Sequence, residues 1–364
     1  MSDRIFVGSR KGLFVLTRRS RGNPAWQVEA VHFLGDPVTM VLADSRDGSL
    51  HAALNLGHFG VKMRRSNDGG KTWEERAVPL YPPQPADAAG PPWTLLQVWS
   101  LEAAGADAPG VLWAGTLPGG LFRSADGGDT WSLVESLWSR PERPEWFGGG
   151  NDSPGIHSIC IDPRDSRRLA VAVSCGGIWA SGDDGAGWQP AAAGMHAEYM
   201  PPQRRDDPNV QDPHRVVQCR GRPEVFWAQH HCGLYRSVDG TKSWQEIAAA
   251  MPSAFGFAVA VHPVDADTAW FVPAAKDSCR VAADARVVVS RTRDGGRSFD
   301  ILAEGLPAEP AYDIVYRHAL DVDDSGERLA MGSTTGALWI SENGGDSWQC
   351  LSAHLPPVYC VRFG

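Results

Sequence analysis

Short runs of alternating apolar and polar residues recur along the whole chain, and glycine-rich polar turns separate them. Alternations such as GLFRS (Gly120–Ser124) and GIWAS (Gly177–Ser181) precede such turns, and others such as WSLV (Trp131–Val134) and WQEI (Trp244–Ile247) follow them. A period of two marks a strand with one buried face, and two strands joined by a Gly-rich turn make a hairpin. A full unit runs from GIHSICIDPRDSRRLAVAV (Gly155–Val173) through CGGIWASGDDGAGWQPA (Cys175–Ala191): an inner strand, a turn, a second strand, a short loop, then the hairpin. Four strands in a unit of roughly 45–60 residues is the pattern of a propeller blade.

Units begin near Val38, Thr94, Gly155, Pro213, Gly256 and Tyr312. The first residues, IFVGSRKGLFVLTRRSRGNPAW, read as the last three strands of a further blade, and the last, VYCVRFG, as its inner strand. The expected fold is therefore all-β: one seven-bladed β-propeller spanning residues 1–364, built of four-stranded antiparallel blades. The N- and C-termini close the last blade, which leaves no open sheet edge. The 15 Trp, 40 Gly and 27 Pro among 364 residues agree, since aromatics with frequent turn residues favour short strands over helices.

The turns themselves repeat. They read RSNDGGKTW (Arg65–Trp73), RSADGGDTW (Arg123–Trp131), ASGDDGAGW (Ala180–Trp188), RSVDGTKSW (Arg236–Trp244), SRTRDGGRSF (Ser290–Phe299) and ISENGGDSW (Ile340–Trp348). The Asp can accept hydrogen bonds from the amides of its own turn, glycine permits positive φ, and the Trp is a large apolar plug. This pattern resembles the Asp-box, or BNR, repeat Ser-x-Asp-x-Gly-x-Thr-Trp of sialidase-like propellers. The same repeat occurs in xyloglucan-active hydrolases, sortilin-type receptors and photosystem assembly factors, so the resemblance implies a scaffold and leaves the chemistry open. Sialidase chemistry would need an early Arg-Ile-Pro motif, three carboxylate-clasping arginines and a Tyr nucleophile paired with Glu. Here Arg4-Ile5 is followed by Phe6, and although Arg317 follows Tyr316, no arginine set is recognisable.

A formal charge of −9 argues against a nucleic-acid surface, and the one dense basic run, RRSR (Arg18–Arg21), reads as a solvated turn. No apolar stretch approaches the about 18 residues that a membrane span needs. Seven cysteines without a CxxC pair argue against a disulfide scaffold and for a cytoplasmic location.

Candidate chemistry appears when the units are aligned on their turns. His157, His214 and His318 each lie five residues before the turn positions Asp162, Cys219 and Asp323; Thr39, Gln97 and Phe257 are read as their counterparts in other units. In the loops before the third strand, His231 aligns with His58 and Cys175. Inner strands surround the channel, so imidazoles from His157, His214 and His318, with His231 and His58, could converge on one divalent ion of Zn, Fe, Mn or Cu. Histidines holding iron on a seven-bladed propeller also occur in carotenoid-cleaving oxygenases, an architectural analogy without a shared motif. His262 falls at a turn on the opposite face and reads as a surface residue.

Two long connections, roughly 137–154 and 194–212, lie on the face away from the repeated turns, where long loops often carry function. They add His196, Glu198 and Tyr199, the run Arg204–Asp207, and Asn151 with Asp152; Lys276, Asp277, Tyr312, Asp313 and Arg317 share that face. Glu198, Asp152, Asp313 and Arg317 are the candidate catalytic residues. Three functions are consistent with this pattern. One is a propeller enzyme of hydrolase or lyase type, with a His-rich and metal-containing pocket for a small polar molecule or carbohydrate. Another is a non-catalytic ligand- or protein-binding assembly propeller. The third is a glycoside hydrolase with paired carboxylates, Asp152 with Glu198 or Asp313, about 5–9.5 Å apart.

Overall fold

The computed structural model describes residues 1–19, 25–87, 92–308 and 310–364. The described residues fold into seven antiparallel sheets arranged as a propeller, six of them four-stranded and one five-stranded. The closing sheet runs Val358–Phe363, Arg4–Ser9, Gly12–Arg19, Ala25–His32, so the C-terminal strand is innermost and pairs with the first strand of the chain. The other inner strands are Val38–Ala43, Gln97–Ala103, Ile156–Ile161, Pro213–Gln218, Gly256–Val261 and Leu320–Val322. The last of these starts later than the unit boundary at Tyr312, because residues before it form a turn held by a parallel bridge from His318 to Cys360. Of the RRSR run, Arg18 pairs with Glu342 at 2.5 Å, while Ser20 and Arg21 lie outside the described residues.

The repeated turns explain why the hairpins form where they do. In Arg65–Trp73 the Asp68 carboxylate accepts from the Thr72 amide at 2.9 Å, the Thr72 hydroxyl at 2.7 Å and the Ser66 hydroxyl at 2.8 Å. The Ser66 hydroxyl in turn accepts from the buried Gly70 amide at 2.8 Å. The same pattern recurs around Asp126, Asp183, Asp239, Asp294 and Asn343, with Thr292 in the serine position before Asp294. Each turn thus satisfies its own backbone, which only local sequence is needed to specify. The largest buried side chains come from the strands between turns: Trp113, Trp179, Trp227, Trp270 and Trp339. Core clusters join neighbouring blades, as where Ile5 and Val7 pack with Trp339 and Val361.

The two long connections clasp one another. Trp146 donates to Asn209 at 2.7 Å, Asn209 donates to the Glu142 carbonyl at 3.2 Å, and Arg204 reaches Glu145 at 2.5 Å. A third elaboration is the strand Cys279–Ala282, which pairs with Ala269–Lys276 as the fifth strand of its sheet. All seven cysteines are free. No helix of the described residues is long and apolar enough to cross a membrane.

Candidate functional site

On the face that carries the long connections, the channel opens into a cavity of about 820 Å³. The opposite mouth, about 800 Å³, is lined by Glu102, Arg215, Asp321 and Arg362 among others. Burial pushes the Glu102 and Asp321 carboxyls up, against the pull of Arg362.

The inner strands bulge where they meet the upper cavity. Their pairing slips at His157, His214 and Thr39, and again between Val98 and Ser100 and between Gly256 and Val259. A bulge inserts an unpaired residue and re-aims its side chain. The register therefore corrects one assignment: Trp99, not Gln97, is the counterpart of His157 and His214, although both Gln97 and Trp99 line the cavity.

At one wall, Asp212, His214 and His231 form the only group among the described residues whose ligand atoms could hold a metal ion, all within 4.8 Å of one another. Asp212 Oδ2 lies 3.5 Å from His214 Nε2 and 3.5 Å from His231 Nδ1. His214 Nδ1 donates to the Gly256 carbonyl at 2.6 Å, and the Cys175 amide donates to Asp212 Oδ1 at 3.2 Å. The His231 amide donates to the Asp212 carbonyl at 2.9 Å, which ties the two backbones together. Tyr199, Phe255 and Phe257 pack around the two imidazoles, Phe257 stacking on His214 with centroids 4.7 Å apart. Burial alone would raise the Asp212 carboxyl, but His214, His231 and the field of Arg317 outweigh it and hold it well below the usual carboxylate range. Burial lowers His214, with Asp212 working against it.

The Arg317 guanidinium shares the Phe257 ring with His214: it lies over Trp99 at 4.9 Å and Phe257 at 5.6 Å. Among the described residues it makes no ion pair or hydrogen bond, and its Nε is buried without a partner. Arg280, from the added strand, lies 5.6 Å from the same Phe257 ring and pairs with Asp277 at 2.5 Å.

The structure separates the other sequence candidates. His318 lines the cavity, where its Nδ1 accepts from Arg362 at 3.0 Å and its Nε2 has no partner. His157 is fully buried, 3.0 Å from the Ser158 hydroxyl and edge-on to Trp99. Burial lowers both far below the ordinary imidazole value. Neither belongs to the group around Asp212. His58 is exposed in the short turn Gly57–Phe59 and lies tilted against Phe59 with centroids 3.9 Å apart.

Glu198 and Asp152 are exposed and do not line the cavity. Asp313 accepts from Ser333 at 2.7 Å and also from Thr335, behind Phe257. His196 pairs with Asp206 at 2.7 Å outside the cavity. Arg317 and His231 do line it. His230, next to His231, is buried and faces the amides of Asp212 and Cys232 at 3.0 and 3.1 Å.

Sequence reasoning missed Asp212 and Arg280. The signal for Asp212 was its place two residues before His214, at the end of the long connection. For Arg280 it was the extra length of its unit between second and third strands.

No family model matches this chain. It is 25% identical over 279 residues to an oligoxyloglucan-reducing end-specific xyloglucanase of Emericella nidulans, covering 70% of this chain and 32% of the relative. Among solved structures, an ancestral GH74 enzyme superposes with a TM-score of 0.61 at 17% identity, over 86% of this chain and 38% of that one. A YCF48 structure with a bound peptide superposes with a TM-score of 0.51 at 17% identity, over 82% of this chain and 78% of that one. The chain thus spans about a third of the length of the xyloglucanase it matches.

Proposed function

We propose that this chain is a propeller enzyme of hydrolase or lyase type, acting on a small acidic sugar or similar polar molecule at the channel mouth. The observation that carries the reading is Arg317: a guanidinium desolvated by burial, set against Trp99 and Phe257 and lining the cavity, which forms no direct ion pair among the described residues and feels Asp212 only through its field. A planar fork of donors suits a carboxylate or phosphate, and leaving it unpaired in a ligand-sized cavity reserves it for one.

Exposed aromatic faces at the rim, Phe59 and Tyr316, offer platforms for the apolar face of a sugar ring. The Asp212–His214–His231 group lines the same cavity, and the bond to be broken would lie beside it. The likeness to a xyloglucanase supports a carbohydrate ligand. The YCF48 likeness supports the alternative of a non-catalytic propeller that uses the same mouth for a peptide.

Calorimetry with uronic and aldonic acids, their neutral parent sugars and acidic peptides separates these readings. The enzyme reading expects the acids to bind and the neutral sugars to bind weakly, with Arg317→Met costing the acids roughly 10–100-fold, the value of a charge-assisted hydrogen bond. Uronate-containing oligosaccharides should then be cleaved. Preference for neutral sugars, or binding of peptides alone, rejects it.

A further inference from the structure

The spacing around Asp212 needs an explanation of its own. His214 Nδ1 is committed to the Gly256 carbonyl, so a neutral ring turns a lone pair on Nε2 toward Asp212 Oδ2 at 3.5 Å. The second imidazole presents Nδ1 to the same oxygen at 3.5 Å, while its outer nitrogen Nε2 lies 3.9 Å from the Asp277 carboxylate, beyond hydrogen-bond reach. Both rings thus turn the inner nitrogen to one carboxylate oxygen. Charge-assisted hydrogen bonds between such groups close to about 2.7–2.9 Å, and these contacts remain longer. Donor atoms about 2.1 Å from a tetrahedral ion stand about 3.4 Å apart.

We infer that Asp212 Oδ2, His214 Nε2 and His231 Nδ1 are the protein ligands of one divalent transition ion, with its remaining positions open to the cavity. Two imidazoles and one carboxylate suit Zn²⁺, Fe²⁺, Mn²⁺ or Co²⁺, whereas Ca²⁺ and Mg²⁺ prefer oxygen alone. The Gly256 carbonyl orients the His214 ring as the second partner of a metal-bound histidine does, and Tyr199, Phe255 and Phe257 pack against the two imidazoles. The Cys175 amide occupies Oδ1 and leaves Oδ2 for the ion. The open positions face the same cavity as Arg317, so an acidic ligand gripped there would present its neighbouring oxygen or a bound water to the ion. This assignment deepens the proposed enzyme, but the ion site stands on its own geometry.

The test uses the full chain without a histidine tag, stripped by chelator dialysis, then titrated with Zn²⁺ by calorimetry and with Co²⁺ by visible absorption. One ion per chain is expected, with a Co²⁺ ligand-field spectrum. His231→Ala and Asp212→Asn should each weaken binding by at least about 100-fold, since even outer-shell changes cost 10–100-fold, while His58→Ala binds as the wild type does. Circular dichroism confirms the fold of each variant. Should Asp212→Asn fail to fold, the partly exposed His231 decides the outcome alone. Absence of stoichiometric binding by the wild-type chain, or unchanged binding in His231→Ala, overturns the site. Sugar-acid binding through Arg317 without any ion would reject the ion site and keep the cavity's function; ion binding without any sugar acid would do the reverse.

Discussion

His214 and Asp212 stand two residues apart in the chain, and their side chains meet again across the bulge that opens the inner strand: Nε2 to Oδ2 is 3.5 Å. The strand supplies the histidine, while the clasped connections supply the carboxylate. The pair is therefore only as well placed as the loops that hold it, and this bears on the first prediction.

Gly149, in the first long connection, sits against that carboxylate. A methyl group added there would fall 2.9 Å from Cys175 Sγ and 3.1 Å from Asp212 Oδ2. Gly149→Ala should weaken ion and ligand binding at the cavity while leaving the propeller folded, at a cost of roughly 1–3 kcal/mol typical of overpacking. Paired binding and urea-unfolding measurements would show it. Wild-type affinity in this variant would mean that the loop does not position Asp212.

The repeated turns make a stability prediction. The Ser124 hydroxyl accepts from the Gly128 amide at 2.8 Å and donates to Asp126 at 2.7 Å. Ser124→Ala leaves that buried amide unpaired, which costs about 1–3 kcal/mol. The urea midpoint should fall, with no change in ligand affinity, because the turn lies on the far face from the cavity.

A pH dependence follows from His51, buried beside the Ser49 hydroxyl at 3.2 Å. Burial, reinforced by Arg65, lowers it from an ordinary 6.5 to about 4. Between these values the unfolded chain binds a proton that the folded chain refuses, so stability present above pH 6.5 is lost as pH falls toward 4. From pH 7.5 to 5 the loss from this residue is about 2 kcal/mol. His51→Gln should flatten that part of the curve when unfolding is followed at both pH values; an unaltered slope would show that His51 is not its source.

The ring closure can be tested by truncation. Val358–Phe363 pairs with Arg4–Ser9 and is the innermost strand of its sheet. Removal of residues 358–364 exposes an inner edge and the channel wall. Loss of cooperative unfolding together with aggregation is expected, measured by light scattering and denaturation; a monomeric, cooperatively folded product would contradict it.

By itself the sequence determined the blades. Each repeated turn satisfies its own amides within nine residues, and alternation on both sides assigns the buried face, so hairpins and blade count could be read locally. The closing strand was legible too, because VYCVRFG has no other partner within its own stretch of chain. The equivalence of His157 and His214 was legible for the same reason.

Only the tertiary structure decided which of these residues meet. The bulges replaced Gln97 by Trp99 as their counterpart, because one unpaired residue shifts the register on the inner strand. The ladder that pairs Pro213 with His230 sets Asp212 beside His231 within one blade, but the packing of neighbouring blades brought Asp212 to Cys175, and an inserted strand brought Arg280 beside Phe257. Those contacts depend on how separate blades and long loops pack around one axis. Local hydrogen bonding carries no information about that convergence.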